Sequence, residues 1–137
     1  MQKYTHLLFA LLFFLLLNQY FRFPLYLAVF AFIGATVPDI DLKIKSLHRK
    51  LLHNIWTPII ISFILLQLNL IDQMIAIIFS IGFLSHLLSD SLTHMGIMPL
   101  WPITKPKFNG PFRTGGLGEF GILAGMLIIL FFIIGII

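Results

Sequence analysis

Long apolar runs dominate the chain and are separated by short polar stretches. Five such runs can be distinguished, at about 5–20, 24–37, 55–70, 73–95 and 120–137. A helix needs about 20 apolar residues, with a range of about 17–25, to cross the hydrocarbon core of a bilayer. The first two runs are short, so we expect them to tilt or to extend into their flanks. The pattern predicts an all-α integral membrane protein with about five transmembrane helices in a single domain, 1–137.

Composition supports a membrane protein and excludes several other classes. The 137 residues are 59% hydrophobic and only 10% charged, whereas soluble domains carry about 25% charged residues. The net charge of +4 does not predict nucleic-acid binding, because a basic patch needs a solvated face to display it. We therefore expect the lipid bilayer as partner. The chain has no cysteine, which excludes disulfides and thiolate metal sites. Cysteine usage therefore gives no information on the redox state of the compartment.

The first apolar run has a second interpretation, as a signal peptide. It follows a positive residue, Lys3, as a signal peptide would. It lacks a small-x-small cleavage pattern, and apolar sequence resumes directly after Asn18 and Gln19. We interpret it as a retained span.

Lysine and arginine residues indicate the orientation of the predicted bundle. With five spans, one face carries eight basic residues: Lys3, Lys43, Lys45, Arg49, Lys50, Lys105, Lys107 and Arg113. The other face carries Arg22 alone. The positive-inside rule then places the N-terminus in the cytoplasm and the C-terminus outside the cell membrane. Basic residues that bind a phosphate-bearing substrate would produce the same asymmetry.

All five histidines and four of the five acidic residues fall on this same predicted face. They are His6, Asp39, Asp41, His48, His53, His86, Asp90, His94 and Glu119. Within HLLSDSLTH, residues 86, 90 and 94 are four apart and would form a stripe on one side of a helix. Ionisable residues inside a membrane are costly and by default indicate function.

Mixed imidazole and carboxylate groups suit a divalent metal, zinc first, with manganese or iron as alternatives. The sequence therefore predicts a His/Asp site for one or two ions at the cytoplasmic end of the bundle. Other interpretations stay open. The aspartates of PDID could cap a helix, HRK could be a positive-inside anchor, and the stripe could be a proton relay or a helix–helix seam.

The motifs PDIDLKIKSLHRKLLHN and HLLSDSLTHMGIMPLWPI, preceded by Thr5-His6, resemble the YdjM-type family of membrane-bound, predicted metal-dependent hydrolases. The resemblance covers most of the chain, with several motifs in the same order. It implies these metal and active-site residues: His6, Asp39, Asp41, His48, His53, His86, Asp90 and His94. The element from His86 to Asp90 is also similar, more distantly, to one in zinc-dependent phospholipases C and related nucleases. Lys50 stands where the family pattern has glycine, which would change the preferred substrate charge and not the ligands.

Site chemistry and resemblance together predict a metal-dependent hydrolase that acts on a lipid or lipid-linked phosphoester at the membrane interface. A bound ion would lower the pKa of a coordinated water towards neutrality. The carboxylates expected to orient histidines or act as general base are Asp39, Asp41 and Glu119. The cations expected to bind the substrate phosphate are Arg49, Lys50 and Arg113.

Two alternative functions belong to other classes. A metal-ion or proton transporter would also place His and Asp in the membrane, but it needs polar groups leading to both faces. The outer halves of the five segments contain almost none. A non-catalytic regulatory membrane protein that retains a metal site is the second alternative. The sequence makes no prediction of substrate identity or oligomeric state.

Overall fold

A computed structural model describes residues 1–43 and 52–136 of the chain. The described residues form five α-helices: α1 (Lys3–Phe21), α2 (Ala28–Thr36), α3 (Trp56–Gln67), α4 (Gln73–Ser91) and α5 (Leu117–Ile136). Two 3-10 helices, Leu25–Leu27 and Val37–Lys43, flank α2. No β-strand occurs within these two ranges, so the all-α prediction is confirmed.

Three of the described helices are long and apolar enough to cross a membrane, judged by length and composition. They are α1, α4 and α5, the last over Leu117–Gly135. At 1.5 Å per residue the 12 residues of α3 span about 18 Å, less than the ~30 Å of a hydrocarbon core. The second apolar run forms a helical stretch over Leu25–Ile40 that is also short. Length and composition thus support three spans, where the apolar runs alone predicted about five.

Local backbone chemistry explains where the long helices begin and end. Arg22 adopts the left-handed conformation, with φ 51°, and its N–H bonds the Asn18 carbonyl, which closes α1. Asn69 is also left-handed, with φ 53°, just past the end of α3. Asp72 begins α4, because its carboxylate accepts a 2.8 Å hydrogen bond from the Ile75 N–H. The one acidic residue outside the predicted site is therefore a helix cap.

Helix α4 lies at the centre of the bundle and packs against α1, α2 and α3, while α5 packs against α1. Glycines bring α2 and α4 close together. A Cβ atom on Gly82 would collide with the Ala31 carbonyl, and one on Gly34 would collide with the Phe79 carbonyl. Small residues at a helix interface allow this close backbone approach within membranes. The approach places the end of α2 directly against the last turns of α4.

Large apolar side chains fill the interior of the bundle and also cover its outside. Phe14, Ile78 and Phe83 are fully buried in the core. Phe131 and Phe132 on α5 are exposed, like many other large apolar residues of the described chain. So much apolar surface on every helix is expected where lipid, and not water, contacts the protein.

The connection between α4 and α5 is ordered by backbone hydrogen bonds. Ile97 and Phe108 each donate to the other's carbonyl at 2.9 Å, and the His94 N–H donates to Phe112 at 2.9 Å. Gly96 has φ +57°, and a side chain there would collide with the Phe108 carbonyl. The connection also reaches α3, because the Ile55 N–H donates to Pro99 at 2.9 Å. It thereby tightens the end of the bundle at which α4 finishes.

Candidate metal centre

Five histidine and aspartate side chains meet at one end of the bundle. His6 lies near the start of α1, Asp39 follows α2, and His53 precedes α3. His86 and Asp90 lie one turn apart near the end of α4, on the same side of the helix. The predicted His/Asp cluster is therefore present, built from four separate segments of the chain.

Asp90 is the centre of this cluster. Its side chain is only 3% exposed, and its Oδ2 atom lies 3.6 Å from His53 Nε2 and 3.7 Å from His86 Nε2. Its Oδ1 atom lies 3.5 Å from His6 Nε2 and 2.7 Å from the α-amino nitrogen of Met1. A single buried carboxylate thus faces three imidazole rings.

The backbone of α2 determines the tautomer of His86. Its Nδ1 donates a 2.7 Å hydrogen bond to the Ala35 carbonyl oxygen, so a neutral ring carries its lone pair on Nε2. That Nε2 atom is buried and has no hydrogen-bond partner among the described residues. It lies 3.8 Å from Asp39 Oδ1, as well as 3.7 Å from Asp90 Oδ2. Metal-ligating histidines show this pattern, one nitrogen bonded to a carbonyl and the other directed at the metal.

A serine determines the tautomer of His6 in the same way. The Ser89 hydroxyl donates to the His86 carbonyl at 2.8 Å, so its oxygen must accept from His6 Nδ1, 2.6 Å away. The lone pair of neutral His6 is then on Nε2, the atom that faces Asp90. The two rings stack, with centroids 3.8 Å apart, and both Nε2 atoms face the Asp90 carboxylate.

Distances between the donor atoms fit a shared divalent metal better than direct hydrogen bonds. N–H···O bonds measure about 2.7–3.2 Å, whereas the His–Asp pairs here lie 3.5 to 3.8 Å apart. Around a tetrahedral ion with bonds of about 2.1 Å, neighbouring ligand atoms are about 3.4 Å apart. A lone pair and a carboxylate that face one another at such distances repel, and either a proton on the imidazole or a cation between the two groups removes this repulsion. The donor set therefore fits a divalent ion.

Two ligand groups can be drawn, and they share one residue. His6, Asp39 and His86 form one group and His53, His86 and Asp90 the other, each with ligand atoms within 4.8 Å of one another. An imidazole nitrogen has one lone pair, and His86 Nδ1 is already bonded to Ala35. His86 can therefore complete only one group at a time. Among the described residues, the arrangement suits one fully coordinated ion.

Glu119 is buried, but its partners lie elsewhere. Its Oε1 accepts 2.7 Å hydrogen bonds from the Gln2 N–H and the Thr5 hydroxyl. Its Oε2 accepts a 2.6 Å bond from the Gly115 N–H. The carboxylate thus ties the start of α5 to the chain segment that carries His6. It belongs to neither of the two ligand groups.

The structure places two further predicted site residues outside the cluster. Helix α4 ends at Ser91 and not at residue 95 as the apolar run predicted, because Thr93 donates its N–H and its hydroxyl to the Asp90 carbonyl. His94 therefore lies past the helix, is exposed, and does not continue the stripe. Arg113 is exposed in the connection before α5.

Three predicted residues, His48, Arg49 and Lys50, lie outside the described residues, as does the side chain of Asp41.

Sequence reasoning missed residues that orient the site. Ser89 carried a signal, as a small polar residue next to Asp90 in an apolar helix. The Ala35 carbonyl carried none, because every residue has one.

A family model described as YdjM inner membrane protein matches residues 1–137. No curated protein and no solved structure matches the chain.

Proposed function

This chain belongs to the YdjM inner membrane protein family, and we propose that it is a membrane-embedded, metal-dependent hydrolase. One observation carries the proposal: the buried His86 Nε2 faces carboxylate oxygens of Asp39 and Asp90 at 3.8 and 3.7 Å. A structural histidine would satisfy that nitrogen with a hydrogen bond, because burying it unpaired is costly. A metal ligand needs it free of protons.

Exposure suggests a division of roles between the two aspartates. The Asp90 side chain is 3% exposed, whereas that of Asp39 is 22% exposed. We assign Asp90 with His53 and His86 to the ion, zinc in the first instance, with manganese or iron as alternatives. Asp39 then remains as general base, because it reaches both the cluster and the outside. A divalent ion held there would supply Lewis-acid polarisation of the scissile bond and acidify a water molecule.

An amphiphilic phosphoester is the substrate class that the surroundings support. An apolar groove of about 500 Å³ is lined by Asn54, the neighbour of His53, and by Trp56 and Trp101. A volume of this size suits part of a hydrocarbon chain. Arg49, Lys50 and Arg113 remain candidates for phosphate contact. We propose that the site and the N-terminus are cytoplasmic and the C-terminus external, and the distribution of basic residues supports this orientation.

The test uses protein purified in detergent, with no membrane gradient present. We expect cleavage of a lipid phosphoester that chelator abolishes and a divalent metal restores. Asp90→Asn keeps the side-chain shape but removes the anionic ligand, so bound metal and turnover should both fall at least tenfold.

Asp72→Asn is the matched control, because asparagine also caps a helix and Asp72 begins α4, away from the cluster. Equal metal content in the two variants would refute the ligand assignment. Metal or proton flux in sealed vesicles, without hydrolysis of any lipid phosphoester, would favour the transporter alternative.

A further inference from the structure

A cavity of about 200 Å³ adjoins the metal-binding cluster. It lies between the first turn of α1 and the end of α2, and its lining residues are Lys3, His6, Ala35, Thr36, Asp39 and Ile40. His6 and Asp39 belong to the cluster itself. The cavity therefore leads from the outside of the protein to one of the two ligand groups.

Lys3 is the basic residue among the described residues that line this cavity. It is three residues before His6 and so lies on the same side of α1. Lys3 is exposed, and its ammonium group forms no hydrogen bond or ion pair with the side chains that the structure describes, those of residues 1–40 and 52–135. The positive end of the α1 dipole lies at the same turn.

The other polar groups of the cavity are already engaged. The Thr36 hydroxyl donates to the Ile33 carbonyl at 2.9 Å, and His6 Nδ1 is bonded to Ser89. Among the described lining residues, Asp39 carries the negative charge, and a divalent ion in the cluster would offset that charge. Of the lining residues that the structure describes, Lys3 is then the one whose side chain has a donor left for an anion.

The size of the cavity limits what can enter. Pockets that enclose drug-sized ligands measure about 300–1,000 Å³, so a cavity of about 200 Å³ admits a small group and not a whole amphiphile. A lysine ammonium binds phosphate as a point charge. We propose that this cavity binds the phosphate group of the substrate and that Lys3 is its specificity-determining residue. The inference rests on the proposed hydrolase function.

Direct binding of inorganic phosphate, measured by calorimetry on metal-loaded protein, tests the subsite without relying on catalysis. Lys3→Ala should weaken phosphate binding about 3- to 10-fold and leave metal content unchanged. Lys3→Arg should retain most of the affinity. Lys107→Ala, which removes an exposed lysine between α4 and α5, is the matched control and should bind as wild type does.

A second variant tests the sign of the electrostatic effect. In chelator-treated protein, Asp39→Asn removes the negative charge from the same cavity and should strengthen phosphate binding.

Nanodiscs containing phosphatidic acid, compared with phosphatidylcholine nanodiscs, distinguish a lipid headgroup from free phosphate. Lys3-dependent binding to phosphatidic acid alone would identify the lipid as the source.

The outcomes separate the subsite from the enzyme. Equal affinity of wild type and Lys3→Ala for phosphate and for phosphatidic acid would overturn the subsite, even if the protein hydrolyses phosphoesters. Lys3-dependent phosphate binding without hydrolysis would keep the subsite and overturn the hydrolase. In an active enzyme, Lys3→Ala should raise KM by the same factor of about 3 to 10, while kcat changes little. This is the pattern expected for a group that binds the substrate without reacting.

Discussion

Gly82→Ala tests whether the packing of α2 against α4 sets up the metal centre. The added methyl group would overlap the Ala31 carbonyl and its neighbouring backbone atoms. Backbone cannot rotate away as a flexible side chain can, so α2 must move by about 1–2 Å to restore ordinary contact. Overpacking of this kind costs about 1–3 kcal/mol.

The consequence for the site follows from one hydrogen bond. His86 Nδ1 and the Ala35 oxygen are 2.7 Å apart, and a displacement of that size lengthens the bond beyond the useful range. Without it His86 loses the contact that keeps its lone pair on Nε2. Loss of such an orienting partner lowers metal affinity about 10- to 100-fold, although the substitution touches no proposed ligand.

The assay is competition for the metal against a chromophoric chelator, with the Tm in detergent measured in parallel. Gly121→Ala is the matched control, because a Cβ atom there meets nothing within 4 Å; it should leave both quantities unchanged. Wild-type metal affinity in Gly82→Ala would refute the link between helix packing and histidine orientation.

Two further substitutions test how the histidines and the N-terminal segment are held. Ser89→Ala removes the acceptor for His6 Nδ1. Because His6 stacks on His86 and faces Asp90, and both of these are assigned to the ion, metal binding should weaken about 10-fold. Ser91→Ala, whose hydroxyl bonds the Leu88 carbonyl, should not weaken it, and equal effects would contradict the tautomer assignment. Glu119→Gln leaves part of its three-donor set unmatched and should destabilise the fold by about 1–3 kcal/mol, measured by thermal unfolding, with metal content retained. Loss of turnover at unchanged Tm would instead restore the catalytic role predicted for Glu119.

Much of the architecture is encoded locally. The apolar runs predicted α1, α4 and α5 with boundaries within a few residues, because hydropathy sums over neighbours in the chain. The four-residue spacing of His86 and Asp90 placed them together, because that distance is set by the α-helix itself. The placement of charged residues at segment ends also predicted that the histidines and aspartates would meet at one end of the bundle.

Tertiary contacts decided the rest of the site. The spacing of HLLSDSLTH predicted that His94 continues the stripe, but Thr93 caps the helix and the connection pairs with Phe112 before that turn can form. Glu119 was predicted as an active-site carboxylate, and in the structure it accepts hydrogen bonds from Gln2, Thr5 and Gly115 and lies outside both ligand groups. No periodicity in the sequence reports these competing partners.

The orientation of the donor atoms depends most strongly on the fold. Ser89 is 83 residues from His6, and Ala35 is 51 residues from His86, yet these contacts decide which nitrogen of each ring keeps its lone pair. From a histidine in the sequence one can predict only that an imidazole group is available as a metal ligand. Only the packing of α1 and α2 against α4 determines where that ligand points, because a tautomer is selected by the hydrogen bond at the opposite nitrogen.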